Sequence, residues 1–195
     1  MSFRTIRIIL WALVLLALIA VAFRHWSGSE HDPQTATFTP DFALQDTDGQ
    51  TYGMSDFRGK FSLVFFGFTN CPDVCPTTMS EVAQVMDDLG DDADMVQPLF
   101  ISIDPERDRR QGLGEYVAAF HPAIVGLAGD DAATRAAADS FKVHFEREAD
   151  ASAPDGYTMS HSPGLFLVGP DGEWLRQFAY ETPAAEILAD LKERI

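Results

Sequence analysis

One nearly continuous apolar segment constrains the fold of this chain more than any other feature. Residues 61–66 read FSLVFF, with a single serine among large apolar side chains. Strands that are covered on both faces carry such uninterrupted apolar runs, whereas strands with one face in water alternate apolar and polar residues. The segment therefore predicts a central strand that is buried between two layers.

Segments of strand and helix character alternate along the rest of the chain. Apolar residues spaced three and four apart predict helices, and short apolar or alternating segments predict strands. The predicted helices cover residues 77–89, 113–120, 132–141 and a last helix through Leu191 that is capped by Thr182, with Pro183 in its first turn. The predicted strands cover residues 96–103, 124–128, 165–168 and 174–178, after a small hairpin that closes at Asp48 and Gly49.

This order of elements predicts an α/β fold. Strands alternate with helices and the chain ends strand–turn–strand–helix, which is typical of a three-layer sandwich of the thioredoxin type, here with an added N-terminal β-hairpin. Ligands of open α/β sheets bind at the carboxyl ends of the strands. The loop after residue 66 is therefore the first place to look for a functional site.

A second apolar run lies near the N-terminus. Residues 8–23 are all apolar, with Arg4 and Arg7 before them and Arg24 after them. The run approaches the roughly 20 residues of a membrane-spanning helix, and the basic residues favour a cytoplasmic N-terminus. A cleavable signal peptide has the same charge layout, but the small polar residues that usually follow one are missing. We therefore predict an uncleaved transmembrane anchor over 1–26, a linker over 27–37 and the α/β domain over 38–195.

The predicted topology and the charge limit the partners of the domain. It would lie on the periplasmic side of a bacterial-type inner membrane, where thiols become disulfides unless a reductant protects them. The chain carries 14 basic and 30 acidic side chains, for a formal net charge of −16. Such a surface repels phosphate backbones, so nucleic-acid binding is excluded as a function.

The only two cysteines of the chain, Cys71 and Cys75, lie in the segment GFTNCPDVCP after the predicted central strand. Thioredoxin-like redox enzymes separate their cysteines by two residues, whereas three residues separate this pair. In a helical turn this spacing puts the Cβ atoms about 5–6 Å apart, which suits two thiolates on one soft ion such as Cu(I) or zinc. Asp73 is expected to oppose thiolate formation and so to disfavour a fast redox nucleophile. Spacing alone leaves a metal role and a redox role equally open.

A third metal ligand would have to come from a distant part of the chain. Four of the five histidines are predicted to be a linker or membrane-edge residue, a helix-end cap or an outward-facing strand residue; they are His25, His31, His121 and His144. The fifth, His161, stands just ahead of the strand over 165–168, where this fold brings the chain back against the cysteine helix. His161 is therefore the candidate ligand, with a hydrogen-bonded loop residue as the alternative.

Three further features yield weaker predictions. The segment SIDPERD, residues 102–108, follows a strand end, and Pro105 with the charged residues through Arg109 is predicted to form a surface turn with local ion pairs that contribute little; partner docking is the alternative. Met79 and Met159 are predicted to fill the core, with a transient contact to a soft metal as the alternative. Pro163, just before a strand, predicts a cis peptide bond after Ser162.

Three motifs together, in this order, resemble the Sco/SenC family. They are GFTNCPDVCP, FISIDPERD, and YTMSHS followed by GPDG, and the resemblance runs from about Phe38 to the C-terminus. Members of this family are membrane-anchored, thioredoxin-fold copper proteins that help assemble the dinuclear CuA centre of cytochrome c oxidase. The resemblance implies that Cys71, Cys75 and His161 bind one copper ion, as Cu(I) or Cu(II). The family usually carries Asp immediately before this histidine, whereas this chain has Ser160.

The function implied by the resemblance is that of a copper chaperone, a binding module rather than an enzyme. It would deliver copper to the CuA-bearing oxidase subunit or to another copper-receiving protein, and receive it from an upstream periplasmic donor. A thiol reductant would be needed, because a disulfide offers neither sulfur as a thiolate ligand. The alternative is a thiol–disulfide oxidoreductase that keeps CuA-site cysteines reduced through the redox pair Cys71 and Cys75. A peroxidase activity rests only on a likeness of the cysteine loop to peroxiredoxin loops.

Overall fold

The computed structural model of the protein describes Trp11 and residues 38–195. The predicted linker over 27–37 and, apart from Trp11, the predicted anchor over 1–26 lie outside the described residues. Within the described part of the chain, no helix is long and apolar enough to cross a bilayer. The anchor and the domain boundaries therefore stay predictions.

The described residues form nine strands and five α-helices. In chain order the strands are β1 (Leu44–Gln45), β2 (Thr51–Tyr52), β3 (Phe61–Gly67), β4 (Val96–Ser102), β5 (Val125–Leu127), β6 (Phe145–Ala149), β7 (Tyr157–His161), β8 (Leu165–Val168) and β9 (Trp174–Phe178). The helices are α1 (Val74–Leu89), α2 (Pro105–Arg110), α3 (Leu113–Ala118), α4 (Asp131–Phe141) and α5 (Ala184–Lys192). Short 3-10 turns lie at Met54–Phe57, Gly90–Met95 and Pro154–Gly156.

A mixed five-stranded sheet forms the centre of the domain, in the order β5-β4-β3-β8-β9. Strands β3, β4 and β5 run parallel, whereas β8 and β9 are antiparallel to their neighbours. Strand β3 is central, and all seven of its residues are buried. The prediction drawn from its apolar run is confirmed.

Helices cover both faces of this sheet, as the aromatic contacts of β3 show. Phe66 packs edge-on against Phe141 of α4, with ring centroids 5.3 Å apart. Phe65 points to the opposite face, where its ring lies 6.1 Å from that of Phe100, which in turn contacts Tyr116 of α3. Helix α1 begins beside Phe65 and packs against α5. This is the predicted α/β sandwich of the thioredoxin type.

Two small hairpins are added to the sandwich. The predicted one pairs Leu44 of β1 with Tyr52 of β2, and a bridge between Gln45 and Ala128 joins it to the end of β5. The other pairs β6 with β7 and was not predicted, because the polar, largely exposed residues of β6 carry little apolar signal. This second hairpin turns the expected loop before β8 into a strand that ends at His161.

Three local predictions need correction. Helix α1 starts at Val74, three residues earlier than its apolar spacing indicated, because Pro76 fits a first helical turn. Helix α5 starts at Ala184, and its free first amide donates at 2.6 Å to the distant carboxylate of Glu81 rather than to Thr182. The predicted cis bond before Pro163 is wrong, since every peptide bond in the described residues is trans. The residue after Pro163, Gly164, has a φ of 143°, which favours glycine.

Candidate metal centre

The cysteine loop follows the carboxyl end of β3, at the middle of the sheet. Cys71 is half-buried and precedes α1, whereas Cys75 is the second residue of α1 and is buried. Both are free thiols. The Cys71 amide donates to the Phe68 carbonyl at 3.2 Å, and the Cys75 amide donates to the Cys71 Sγ at 3.3 Å. The Cys71 sulfur is therefore held at the amino-terminal end of a sixteen-residue helix, where amides point towards it.

The two thiols differ in acid–base character. A hydrogen bond from the Cys75 thiol lowers the pKa of Cys71 to about 6, and backbone amides at Asp73, Cys75 and Val74 add to this. The same hydrogen bond, together with burial, raises the pKa of Cys75. At neutral pH Cys71 is a thiolate and Cys75 keeps its proton. The carboxylate of Asp73 does not prevent this ionisation, because its side chain is exposed and its backbone amide stabilises the charged sulfur.

Gly67, the last residue of β3, allows Cys75 to pack directly on the sheet. A Cβ atom at this position would lie 2.9 Å from the Cys75 Sγ, 2.7 Å from a ring carbon of Phe65 and 3.0 Å from one of Phe100. Those distances leave no room for a methyl group. Glycine is required here by close approach rather than by its backbone angles.

Tyr116 of α3 is a neighbour of the thiols that sequence analysis missed. Its hydroxyl is buried and has no hydrogen-bond partner among the described residues. Burial raises the pKa of Tyr116, and electrostatic interaction with the cysteine pair raises it further. The phenol is therefore a neutral group within electrostatic reach of both sulfurs. No local pattern distinguishes it from an ordinary core tyrosine.

His161 ends strand β7, where it pairs with Phe145 of β6. Its half-buried ring packs edge-on against Phe65 and Phe68, with centroid distances of 6.0 and 6.3 Å. Its Nδ1 lies 3.1 Å from the Ser162 carbonyl. Burial lowers the pKa of the imidazole, so the ring is neutral at neutral pH. A neutral ring that donates from Nδ1 to a carbonyl keeps the lone pair of Nε2 available for a metal.

Ser160, the departure noted in the resemblance, is directed away from this ring. Side chains alternate along a strand, so Ser160 and His161 lie on opposite faces of the hairpin, and the cross-strand neighbour of Ser160 is Glu146. The carbonyl of Ser162 orients the imidazole. A carboxylate at position 160 is therefore not needed for that purpose.

The thiols and His161 share neighbours without forming a closed site. The backbone of Phe68 hydrogen-bonds to the Cys75 sulfur, while its ring contacts His161. Phe65, on the face of β3 that carries the cysteine pair, contacts the same imidazole. Within residues 38–195, however, no three His, Cys, Asp or Glu side chains are grouped so that they could hold a metal ion. The fold brings the two thiols together and places the His161 imidazole on the same side of the sheet. The imidazole does not, however, complete a three-ligand metal site with the two sulfurs.

His121 and the two methionines lie as predicted, whereas His144 faces outward as predicted but lies one residue before strand β6 rather than in a strand. His144 is exposed beside Glu146, and His121 accepts from the Ala123 amide at 3.1 Å after a helix end. Met79 and Met159 are buried in the core. His25 and His31 lie outside the described residues.

The SIDPERD segment contradicts its prediction. Ser102 ends β4 and residues 105–108 lie in helix α2, and Asp104, Arg107 and Asp108 are each at most 1% exposed. Asp104 and Arg107 form an ion pair with 2.6 Å between Oδ2 and Nε. A surface turn with weak ion pairs is therefore wrong, because the neighbouring β6–β7 hairpin covers these charges. That hairpin was the element missing from the prediction.

Comparisons with known proteins agree with the structure. The SCO1/SenC family profile matches residues 30–195. The mitochondrial SCO2 homolog of Mus musculus is 33% identical over 187 residues, which is 95% of this chain and 73% of that protein. The structure of Bradyrhizobium japonicum ScoI with copper bound shares 35% identity at a TM-score of 0.73, covering 81% of this chain and 99% of that one.

A third comparison concerns BsSco, a member of the Sco family of cytochrome c oxidase assembly proteins in which a disulfide switch has been identified. It shares 26% identity at a TM-score of 0.62, covering 81% of this chain and 94% of that one. Fold and site together define a thioredoxin-like dithiol protein with a histidine on the same side of the sheet as its cysteine pair. The chain belongs to the SCO1/SenC family, as its three motifs predicted.

Proposed function

We propose that this protein holds one copper ion through Cys71, Cys75 and His161 and delivers it to the CuA-bearing subunit of cytochrome c oxidase or to another copper-receiving protein. The observation that carries the proposal is the reduced cysteine pair, with one sulfur already ionised, on the same side of the sheet as a neutral imidazole whose Nε2 is available. Two soft sulfurs and one imidazole satisfy Cu(I) and leave an open side. A cysteine of the receiving protein could attack from that side by ligand exchange.

Loading requires His161 to come closer to the sulfurs. The ring lies at the end of a two-stranded hairpin that is separate from the central sheet. The His161 end of the hairpin can therefore move Nε2 towards the sulfurs, while Tyr157 at the other end of β7 stays in place and the pairing of β3 is undisturbed. Cys75 must also give up its proton, so copper binding near neutral pH releases a proton to solvent.

The location belongs to the same proposal. The apolar run over 8–23, with its flanking arginines, supports a single anchor in a bacterial-type inner membrane and a domain on the periplasmic side. In that compartment a thiol reductant must keep Cys71 and Cys75 reduced between deliveries, and a periplasmic donor must supply the copper.

A thiol–disulfide reductase is the second candidate, favoured by the contrast between the two thiols. The Cys71 thiolate would attack a partner disulfide and release one partner thiolate. Cys75 would then lose its proton and attack the Cys71 sulfur, which forms the Cys71–Cys75 disulfide and releases the second partner thiolate. Two electrons pass to the partner in this exchange, and His161 takes no part in it.

A copper titration separates the two functions. The full chain in detergent micelles, reduced and kept free of oxygen, is titrated with Cu(I) against a chromophoric competitor. We expect one copper per chain, with much weaker binding after Cys71→Ser, Cys75→Ser or His161→Ala. The control His144→Ala removes an exposed imidazole and should leave binding unchanged.

Thiol exchange is measured on the same proteins. His161→Ala should exchange with a model disulfide at the wild-type rate. Equal copper affinity in wild type and His161→Ala would refute the three-ligand site. Tight binding by the pre-oxidised chain would refute the role of the dithiol, and rapid exchange without copper retention would favour the reductase.

A further inference from the structure

Helix α2 holds the cysteine loop in place through Asp108. Its buried carboxylate accepts hydrogen bonds at Oδ1 from both the amide and the hydroxyl of Thr69, at 3.1 and 2.8 Å. Its Oδ2 accepts from the Ser102 hydroxyl at 2.6 Å. Thr69 lies two residues before Cys71. One buried side chain of α2 therefore binds the cysteine loop two residues before Cys71.

The start of the same helix holds the hairpin that carries His161. The Tyr157 hydroxyl donates to the Asp104 carboxylate, 3.1 and 3.0 Å from its two oxygens. Arg107 pairs with that carboxylate and also donates from Nη1 to the Tyr157 carbonyl at 3.2 Å. Tyr157 is the first residue of β7, the strand that His161 ends.

Both strands of the hairpin take part in this contact. The Tyr157 ring lies between two guanidinium groups, with Arg107 Cζ 4.1 Å and Arg147 Cζ 4.2 Å from its centroid. Arg147 belongs to β6, and its Nη2 lies 3.6 Å from the Asp104 Oδ1. We call these four residues the hairpin clamp: Asp104, Arg107, Arg147 and Tyr157.

The burial of the clamp makes its arrangement specific. Asp104 and Arg107 are each 1% exposed, so both charges have left water and depend on their partners for compensation. The Tyr157 hydroxyl supplies part of that compensation to Asp104. A buried polar network of this kind is stable only when every member is satisfied, which favours a single placement of the hairpin.

We propose that the hairpin clamp is a positioning device for the metal centre, in which Asp104 and Arg107 hold β6–β7 where His161 can reach the cysteine pair. Asp108 holds the cysteine loop on the same helix, so one six-residue element sets the spacing between the two halves. The inference rests on the proposed function. The clamp residues do not contact the metal, and they act through His161.

The test uses Tyr157→Phe, which removes the hydroxyl and keeps the ring between the two arginines. The matched control is Tyr52→Phe, which removes a hydroxyl beside Asp46 in the remote β1–β2 hairpin. Cu(I) affinity is measured for both variants in the wild-type chain and in His161→Ala. Amide hydrogen exchange of residues 157–161 is measured without copper, and Asp104→Asn serves as a second clamp variant.

We expect Tyr157→Phe to weaken Cu(I) binding about tenfold, as outer residues that orient a metal ligand commonly do. It should have no further effect in His161→Ala, because the clamp acts through that ring. Exchange at residues 157–161 should become about tenfold faster. Tyr52→Phe should change none of these.

If Tyr157→Phe leaves the Cu(I) affinity of the otherwise wild-type chain unchanged, the proposal is overturned. An equal loss of Cu(I) affinity in the wild-type and His161→Ala backgrounds would also overturn it, because that result indicates a merely structural role. If the wild-type chain retains no copper, the proposed function fails, and the exchange measurement alone decides whether the clamp positions the hairpin. In that case, unchanged exchange in Tyr157→Phe would overturn the clamp as well.

Discussion

The backbone amide of Cys75 donates a hydrogen bond to the sulfur of Cys71 over 3.3 Å. This contact joins the half-buried residue before helix α1 to the first turn of that helix. It places Cys71 where the Cys75 thiol and backbone amides stabilise negative charge, while the hydrogen bond to Cys71 and burial raise the pKa of Cys75 and keep it protonated. Cys71 is therefore ready to react or to bind a metal as a thiolate, whereas Cys75 must first lose its proton.

Alkylation of the copper-free, reduced protein should report this asymmetry. Thiolates react and thiols do not, so the rate at Cys71 should be half-maximal near pH 6 and fall about tenfold per pH unit below it. Cys75 should be modified far more slowly. Cys75→Ala removes the largest cause of the lowered pKa and should move the midpoint upwards. Mass spectrometry of iodoacetamide-treated samples measures both effects, and a wild-type midpoint above pH 8 would contradict the structure.

Copper affinity should depend on pH through Cys75. The raised pKa of this thiol means that copper must displace its proton throughout the neutral range. As the pH rises from 7 to 8, the apparent dissociation constant should therefore fall about tenfold. Below pH 6, where Cys71 is also protonated, the dependence on pH should be steeper. Competition titrations at several pH values measure the slope. An affinity independent of pH would show that Cys75 is not a thiolate ligand.

Replacing Ser160 with aspartate should not tighten copper binding. The new carboxylate would lie opposite Glu146 on the face away from His161, where two like charges cost about 0.2–1 kcal/mol of folding free energy. Affinity titration and urea unfolding of Ser160→Asp measure the two quantities. A large gain in copper affinity would mean that the side chain at position 160 reaches the imidazole.

Helix α5 should depend on Glu81 for its amino-terminal cap. The carboxylate accepts from the Ala184 amide at 2.6 Å across the contact between α1 and α5. Glu81→Ala should cost about 1–2 kcal/mol of unfolding free energy, as the loss of a charged cap does. Thr182→Ala, at the cap position predicted from sequence, should be nearly neutral. Urea unfolding measures the free energy of unfolding of both variants. A larger loss in Thr182→Ala than in Glu81→Ala would show that Thr182 is the cap.

Removing the unpaired hydroxyl of Tyr116 should stabilise the domain. Its phenol oxygen is buried without a partner in the described part of the chain. A buried polar group without a hydrogen bond costs about 1–3 kcal/mol, so Tyr116→Phe should raise the unfolding free energy by a measurable part of that amount. Chemical denaturation of the copper-free protein makes the measurement. A less stable variant would indicate that the hydroxyl has a stabilising partner.

Much of the fold follows from local patterns. The apolar run over 61–66 predicted the central strand, and apolar spacing located most of α1 and α4. What the patterns missed is the β6–β7 hairpin, whose residues are mostly exposed and polar. Without that hairpin nothing in SIDPERD indicates burial, and Asp104 and Arg107 look like surface charges. The error about these residues follows directly from the missing element.

The sequence by itself determined the α/β class, the cysteine pair at the end of its central strand, and His161 as the histidine to consider. These features depend on periodicity and on residue types close together in the chain. Only the tertiary structure decided which thiol is ionised, which histidine nitrogen is available, and that one short helix contacts both the cysteine loop and the β6–β7 hairpin. Burial and hydrogen bonds between residues far apart in sequence produce those properties, and no local pattern records them.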